Sequence, residues 1–289
     1  MQREGDKGVS LCPYRTLYIY LLAGVVNPVD EKKLGPHFIG NWVEGKNSFL
    51  FFRIPSREAV MALLDRRPEL ELVEEFEIDY EQWQGEPLGP IEVAGFLIRP
   101  YWYPAELAKA GGGVQEIVLD PGVVFGNGLH PTTQDCLRAL RWIGGLRDIS
   151  TVLDLGTGTG ILAIASALMG AERVLAIDIN PLCVKTAERN TRLNGVKDIV
   201  QVIEGDANDF ADEEADLIVA NLDLDVILEL LPKQEFTNRP WYIFSGLMRT
   251  PCAELKRLVK KYGLRVEKEW DHEMTWFTLA CRGKALGPC

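Results

Sequence analysis

The stretch Asp154-Leu155-Gly156-Thr157-Gly158-Thr159-Gly160 carries the clearest chemical signal in the chain. It closes the apolar run Thr151–Leu155 and opens the run Ile161–Met169. Glycines at alternate positions permit a tight turn and let a ligand approach bare backbone. Asp178 ends the next apolar run, 18 residues after Gly160. A carboxylate there accepts hydrogen bonds from ribose hydroxyls. Further on, Glu204-Gly205-Asp206-Ala207 follows a third strand-like run, and Asp206 offers an acceptor for an adenine amino group. The chemistry implied is the binding of a nucleoside cofactor.

Two cofactors compete. Gly158-Thr159-Gly160-Ile161-Leu162-Ala163 matches the dinucleotide pattern GxGxxG/A. The same turn also reads DxGxGxG, with an acid ahead of the first glycine. A carboxylate repels a pyrophosphate but attracts a ligand bearing an ammonium group, such as S-adenosylmethionine. A structural alternative stands beside both: Asp154 and Asp206 as short acids that cap turns.

The elements that must hold these residues follow from patterning. From Ser150 onward apolar runs alternate with helical segments: strands at 151–155, 173–177, 199–203, 215–220 and 241–245, with helices at 161–169, 181–195, 225–231 and 251–263 between or after them. An antiparallel pair, 264–270 and 275–281, closes the chain. Such alternation implies right-handed crossovers and a mainly parallel, doubly wound sheet. Ligands of such sheets bind beyond the carboxyl ends of the strands.

The first part of the chain reads differently. Strands are expected at Leu17–Leu22 and Asn47–Ile54, and a short helix capped by Ser56 at Arg57–Leu64. Periodicity leaves Leu70–Ile78 open between strand and helix. Together these make a small α+β unit over residues 1–78, with a polar, frayed start at 1–10. Prolines 87, 90, 100 and 104 and the triplet Gly111-Gly112-Gly113 mark residues 79–113 as a linker with one strand, Ile91–Ile98, inside it. Residues 114–289 form the cofactor-binding domain. The run Thr16–Val26 imitates a signal-peptide core, but its acidic flank and its aromatic and β-branched content suit a buried strand.

Composition bounds the rest. The chain has 289 residues, 47% hydrophobic and 25% charged, which excludes a disordered tail, a collagen-like repeat and a small disulfide scaffold. With 31 basic against 42 acidic residues the net charge is −11, which disfavours nucleic acid and favours a basic partner. Cys12, Cys136, Cys183, Cys252, Cys281 and Cys289 form no CxxC pair, and only three histidines accompany them, so no metal site is expected. Scattered thiols fit a reducing cytoplasm.

Upstream of the glycine turn, Leu119–Thr133 reads LDPGVVFGNGLHPTT. With Val152–Ala165, the stretch Ile177–Pro181 continuing through Asn190 to Gly195, Val219-Ala220-Asn221-Leu222 and Ser245-Gly246-Leu247, this ordered series resembles the motifs of the bacterial methyltransferases that modify ribosomal protein L11. The resemblance runs from Asp120 to about Arg282, and more loosely into Asp79–Trp83 and Pro100–Trp102. It implies a class I methyltransferase domain with a seven-stranded sheet, preceded by a small ferredoxin-like domain that holds the ribosomal protein. It implies S-adenosylmethionine as cofactor, with Phe125, Gly126, Thr133, Gly156, Asp178 and Asn221 at contact positions. Around them Asp154, Thr157, Gly158, Gly160, Ile179, Asp206 and Ala207 complete the expected cofactor site, and Asn221 is the expected catalytic group, orienting the acceptor nitrogen. His130 is read either as a loop histidine or as a proton-transfer group.

Two departures from the family pattern bear on the acceptor. Asn127 stands where the family has threonine, and Asp223 and Asp225 follow the Val-Ala-Asn-Leu motif where small or apolar residues are usual. The expectation is a cytoplasmic, monomeric N-methyltransferase acting on lysine side chains or the α-amine of L11, with neither nucleic acid nor membrane as direct partner. The rivals are the same fold with another protein or small-molecule acceptor, a dinucleotide-dependent oxidoreductase, and a binding protein without turnover.

Overall fold

The computed structural model describes residues 12–108 and 111–284; the polar opening at 1–10 and Cys289 lie outside them. The chain divides into two compact units. In the smaller, β1 (Thr16–Ala23), α1 (Pro28–Glu31), β2 (Phe38–Glu44), β3 (Asn47–Phe52), α2 (Arg57–Arg66) and β4 (Glu71–Asp79) build an antiparallel sheet in the order β2-β3-β1-β4. The segment that imitates a targeting signal is β1, the strand flanked by β3 and β4. Its Tyr20 and Leu22 pack with Leu50, Phe52, Val60 and Leu63 in one core. Leu17 and Ile19, on the opposite face, are also buried.

Pairing with β1 decides the ambiguity at residues 70–78 in favour of a strand. Ser56 stands at the cap position of α2 but makes no capping bond; its hydroxyl donates to the Ile54 carbonyl at 3.0 Å. After β4, α3 (Tyr80–Gln84) brings the Trp83 ring to 5.3 Å from Phe51.

The larger unit takes in Ile91–Ile98 and the chain from Gly112 onward. The connector stretch therefore carries more regular structure than one strand. It holds a hairpin of β5 (Ile91–Val93) and β6 (Phe96–Pro100), which joins β7 (Gln115–Leu119) in a three-stranded sheet. The hairpin turns at Ala94 and Gly95 with φ of 51° and 74°. Arg141 braces that turn, donating from Nε to the Ala94 carbonyl at 2.9 Å.

The main sheet follows from α4 (Pro131–Gly144), β8 (Thr151–Leu155), α5 (Ile161–Leu168), β9 (Arg173–Asp178), α6 (Pro181–Leu193), β10 (Val200–Glu204), β11 (Leu217–Asn221), α7 (Leu224–Leu230), α8 (Gln234–Thr237), β12 (Trp241–Met248), α9 (Arg249–Lys261), β13 (Arg265–His272) and β14 (Trp276–Arg282). Its order is β10-β9-β8-β11-β12-β14-β13. The strands from β10 to β12 are parallel, and β14 and β13 are antiparallel additions.

Alternation along each strand supplies two cores, one per face. Val152, Val174, Val219 and Ile243 pack with Leu137, Leu140 and Ile164 on one side. Leu153, Ile177, Ile218 and Phe244 pack with Ile227 and Leu255 on the other. Buried on both faces, the central strands read as continuous apolar runs, which is why they were legible. The strand order reverses between β8 and β11, and a crevice opens outside the carboxyl ends of such a pair.

Candidate functional site

The glycine turn leaves β8 at this reversal. Gly156, Gly158 and Gly160 have φ of +73°, +55° and +83°, a region that penalises any side chain. The amides of Gly156 and Thr157 both donate to the Ile177 carbonyl at 2.9 Å, tying the turn to β9. Gly158 N–H donates to Asp178 Oδ2 and Asn180 N–H to Asp178 Oδ1, each at 2.9 Å. The Cys183 thiol also bonds to this carboxylate; a carboxylate has about four acceptor sites, so capacity for a ribose hydroxyl remains. Burial raises the Asp178 pKa, with the two amides working against the rise.

Asp154 is more deeply set, at 1% exposure. The Thr157 hydroxyl donates to its Oδ2 at 2.6 Å. Its Oδ1 has no hydrogen-bond partner. Burial pushes its pKa up to about 7; the Thr157 hydroxyl and the Ala163 main chain oppose the rise and the Asp178 charge adds to it.

The Phe125–Gly128 loop packs on the glycine turn. Thr159 N–H donates to the Phe125 carbonyl at 3.0 Å, and the Thr159 hydroxyl to the Gly126 carbonyl at 2.6 Å. A methyl group at Gly158 would lie 2.5 Å from the Phe125 carbonyl oxygen, so the two loops meet only because glycine stands there. Asn127 Oδ1 accepts from Leu129 N–H at 2.9 Å, an Asx turn that keeps the loop despite the missing threonine. Asn190 of α6 fastens the assembly from below. Its Oδ1 accepts from Asp120 N–H at 2.8 Å, and its Nδ2 donates to the carbonyls of Asp120 at 3.1 Å and Thr159 at 2.8 Å.

Asn221 ends β11, in register with Ser245 of β12. Its Nδ2 donates to Thr132 Oγ1 at 3.4 Å, and Thr132 Oγ1 lies 2.7 Å from His130 Nδ1. His130 Nδ1 also accepts from Thr132 N–H as the cap of α4. The bond directions place the histidine proton on Nε2. Burial and the neighbouring His272 lower the His130 pKa, consistent with this neutral acceptor. Its ring lies 5.2 Å from Phe125 and 5.0 Å from Trp276. Thr133 is buried, and its hydroxyl has no partner. Gly246 has φ +83°, and a methyl group there would sit 3.1 Å from Asn221 Oδ1.

The remaining candidates sit at the rim. Asp206 is exposed and accepts from Asn208 N–H at 2.8 Å, capping the 3-10 turn Ala207–Phe210. Ala207 is half-buried and Ile179 is 70% exposed. Gly205 N–H donates to the Asp178 carbonyl at 3.0 Å, which sets the Asp206 turn beside the end of β9. Phe125 is 51% exposed and so is not core. Asp223, at the cap position of α7, makes no capping bond, and both it and Asp225 are exposed. Among the described residues no cluster of potential metal ligands exists. Thr159, Asn190 and Leu222 carry no signal of a site role in sequence. Only the packing exposes their roles, Leu222 through a side chain that occupies the space a Gly156 methyl group would need.

A mixed seven-stranded sheet with antiparallel β14 set between β12 and β13, a glycine turn at the reversal and an acid ending the next strand make a methyltransferase-like α/β fold consistent with class I. The family model described as ribosomal protein L11 methyltransferase (PrmA) matches residues 55–284, and the chain belongs to that family. A relative from Aquifex aeolicus (strain VF5) named ribosomal protein L11 methyltransferase is 40% identical over 214 residues, covering 72% of this chain and 78% of that protein. A namesake from Anoxybacillus flavithermus (strain DSM 21510 / WK1) is 36% identical, and the match spans 66% of this chain and 62% of that protein. The chain thus matches less than two thirds of the length of some curated relatives. The crystal structure of a ribosomal protein L11 methylase from Lactobacillus delbrueckii subsp. bulgaricus superposes with a TM-score of 0.56 at 29% identity, covering 65% of this chain and 93% of that one.

Proposed function

We propose that this chain is an S-adenosylmethionine-dependent N-methyltransferase whose acceptor is ribosomal protein L11, at lysine side chains or the α-amine. One observation carries the cofactor assignment. Two of the four buried side-chain polar atoms left without a hydrogen bond among the described residues, Asp154 Oδ1 and Thr133 Oγ1, belong to residues expected to serve the cofactor. Buried polar atoms are normally paired, so orphans at a crevice mark a place for ligand atoms. The donor set also fits: Asp178 for a ribose diol, the backbone of Gly156–Gly160 for close approach, and Phe125 and Gly126 over the crevice. Asp206, capping its turn, keeps free acceptor sites for an adenine amino group, with Ala207 and Ile179 beside it.

When bound, S-adenosylmethionine supplies a methyl group on a positively charged sulfur. The chain supplies alignment and dehydration. Asn221 Nδ2 is held by Thr132, which is held in turn by His130; this fixes the amide so that Oδ1 accepts an N–H and turns the acceptor lone pair toward the methyl group. A lysine amine with a pKa near 10.4 in water must arrive neutral, and burial beside a cation favours that form. No side chain here is assigned removal of its proton.

Residues 1–78 act in this reading as the acceptor-holding domain. The β2-β3-β1-β4 order with α1 and α2 in the connections supports a ferredoxin-like assignment. Residues 79–113 form the connector and 114–289 the catalytic domain, which also claims the β5–β6 hairpin. The acidic net charge supports a basic protein acceptor rather than nucleic acid or an anionic membrane. The protein then works as a cytoplasmic monomer.

Transfer of labelled methyl groups to purified L11 tests the acceptor. Label on L11 supports the reading; label found only on another acceptor replaces it with a methyltransferase of the same fold and different specificity. Calorimetry with S-adenosylhomocysteine and with NAD tests the cofactor, and binding of NAD alone removes it.

A further inference from the structure

Three non-glycine residues among those described hold a positive φ: Ala94 at 51°, Glu273 at 50° and Met274 at 57°. Ala94 packs against the core and is braced by Arg141. Glu273 and Met274 are exposed and stand side by side at the tip of the β13–β14 hairpin. Thr275 N–H donates to the His272 carbonyl across them at 2.9 Å, and Met274 N–H to Asp271 Oδ1 at 3.2 Å. A turn left-handed at both central residues is the one that Asn-Gly fills at least cost. A glutamate and a methionine there crowd each Cβ against the carbonyl that follows it. Strain of this kind clusters at functional sites.

The tip adjoins the Asn221 end of the crevice. Trp276, two residues on from Met274, has its ring 5.0 Å from that of His130. His130 in turn holds Thr132, the partner of Asn221. Trp276 is also in register with Met248, which closes β12 at its carboxyl end. Met248, Met274 and Phe125 are all exposed, so the rim here presents large apolar side chains to solvent, the mark of an interaction surface. Methionine adapts its shape to varied apolar partners. Glu273 adds an exposed carboxylate in a chain whose net charge is −11. We propose that the Glu273–Met274 tip is a docking point for the protein acceptor. It takes the stretch of chain that flanks the target nitrogen, Met274 against an apolar side chain and Glu273 against a basic one. An Asn-Gly turn would fold with less strain and offer neither group. The assignment rests on the acceptor reading above and adds to it a specificity determinant separate from the cofactor.

Glu273→Asn combined with Met274→Gly relaxes the turn and removes both side chains. The melting temperature is expected to rise by a few degrees. KM for L11 is expected to rise several-fold, with kcat at saturating L11 and the affinity for S-adenosylhomocysteine at their wild-type values. A KM equal to that of the wild type overturns the proposal, whatever the melt shows. A loss of S-adenosylhomocysteine affinity also overturns it, because it moves the tip into the cofactor site. Should the double variant fail to fold, Met274→Asn removes the apolar chain alone with a residue that tolerates the left-handed region, and the same KM comparison decides. The acceptor reading fails on a different result, the absence of label on L11 with the wild-type chain. If the wild type then labels another protein, KM for that protein in the two forms decides the tip by the same rule. Label on no protein at all overturns the docking point together with the reading.

Discussion

Asp178 and Asp154 show how two carboxylates in one crevice come to differ. Asp178 accepts two main-chain amides and stays at the crevice edge, 9% exposed. Removing it with Asp178→Ala leaves a ribose diol without its acceptor, so cofactor affinity should fall by ~1–3 kcal/mol. An unchanged dissociation constant in calorimetry would take Asp178 out of the site. Asp154 makes a separate, ligand-free prediction. Below 3.8, the ordinary value, the carboxyl is protonated folded or unfolded. Between 3.8 and about 7 the unfolded chain gives up the proton while the folded chain keeps it, so stability falls as pH rises through this window. Asp154→Asn should therefore raise the melting temperature of the free protein at pH 8 and leave it nearly unchanged at pH 4. Thermal melts across that range check the sign. Both acids were visible in the sequence from spacing alone. Their environments were not, because burial and the orphaned Oδ1 depend on α4 and α5 folding back over β8.

At the scale of elements, what the sequence disclosed and what it hid have different physical causes. The parallel strands of the main sheet are buried on both faces, so each reads as an apolar run bounded by turn residues. β2 contains Gly40 and Asn41, and β7 is five residues long beside a glycine triplet, so neither has a pattern of its own. β2 is a strand because β3 pairs with it, and β7 because the hairpin and Asn194 satisfy its backbone; Asn194 Oδ1 accepts from Val118 N–H at 2.9 Å and its Nδ2 donates to the Val118 carbonyl at 2.7 Å. Asn190, one helical turn earlier, does the same for Asp120 and also reaches the glycine turn through the Thr159 carbonyl. The two asparagines fall within the family-like stretch Asn190–Gly195 in sequence, and the structure uses them as fasteners between α6, β7 and the cofactor loops. Asn190→Ala leaves buried main-chain groups of Asp120 and Thr159 unpaired, so it should cost about 2–4 kcal/mol of stability. Because Thr159 also holds the Phe125 loop, S-adenosylhomocysteine affinity should fall with it. Asn190→Asp should recover little, since it cannot donate to the two carbonyls. Denaturant melts and calorimetry on the two variants separate this fastening role from a direct ligand contact.

At the scale of the whole molecule the relevant quantity is where the excess negative charge sits. The net charge is −11, and β4 carries Glu71, Glu74, Glu75, Glu77 and Asp79, all exposed, on an edge of the smaller sheet. Glu75 is occupied by an ion pair with Arg57, which leaves Glu74 and Glu77 as the simplest carriers of an outward field. Charges on a rim act mainly on encounter rate and salt dependence, with little effect on the chemical step. If the smaller unit holds a lysine-rich acceptor, Glu74→Lys with Glu77→Lys should raise KM for L11 several-fold at low salt and leave kcat unchanged. The difference should shrink near 0.5 M salt, where the screening length falls to roughly half its ~10 Å value at 0.1 M. Methylation of a short, uncharged amine acceptor should not respond to the reversal at all. A KM for L11 that stays fixed at every ionic strength would mean that this edge takes no part in recognising the acceptor. A fall in kcat at saturating L11 would instead place the edge in the chemical step and overturn its assignment to encounter alone.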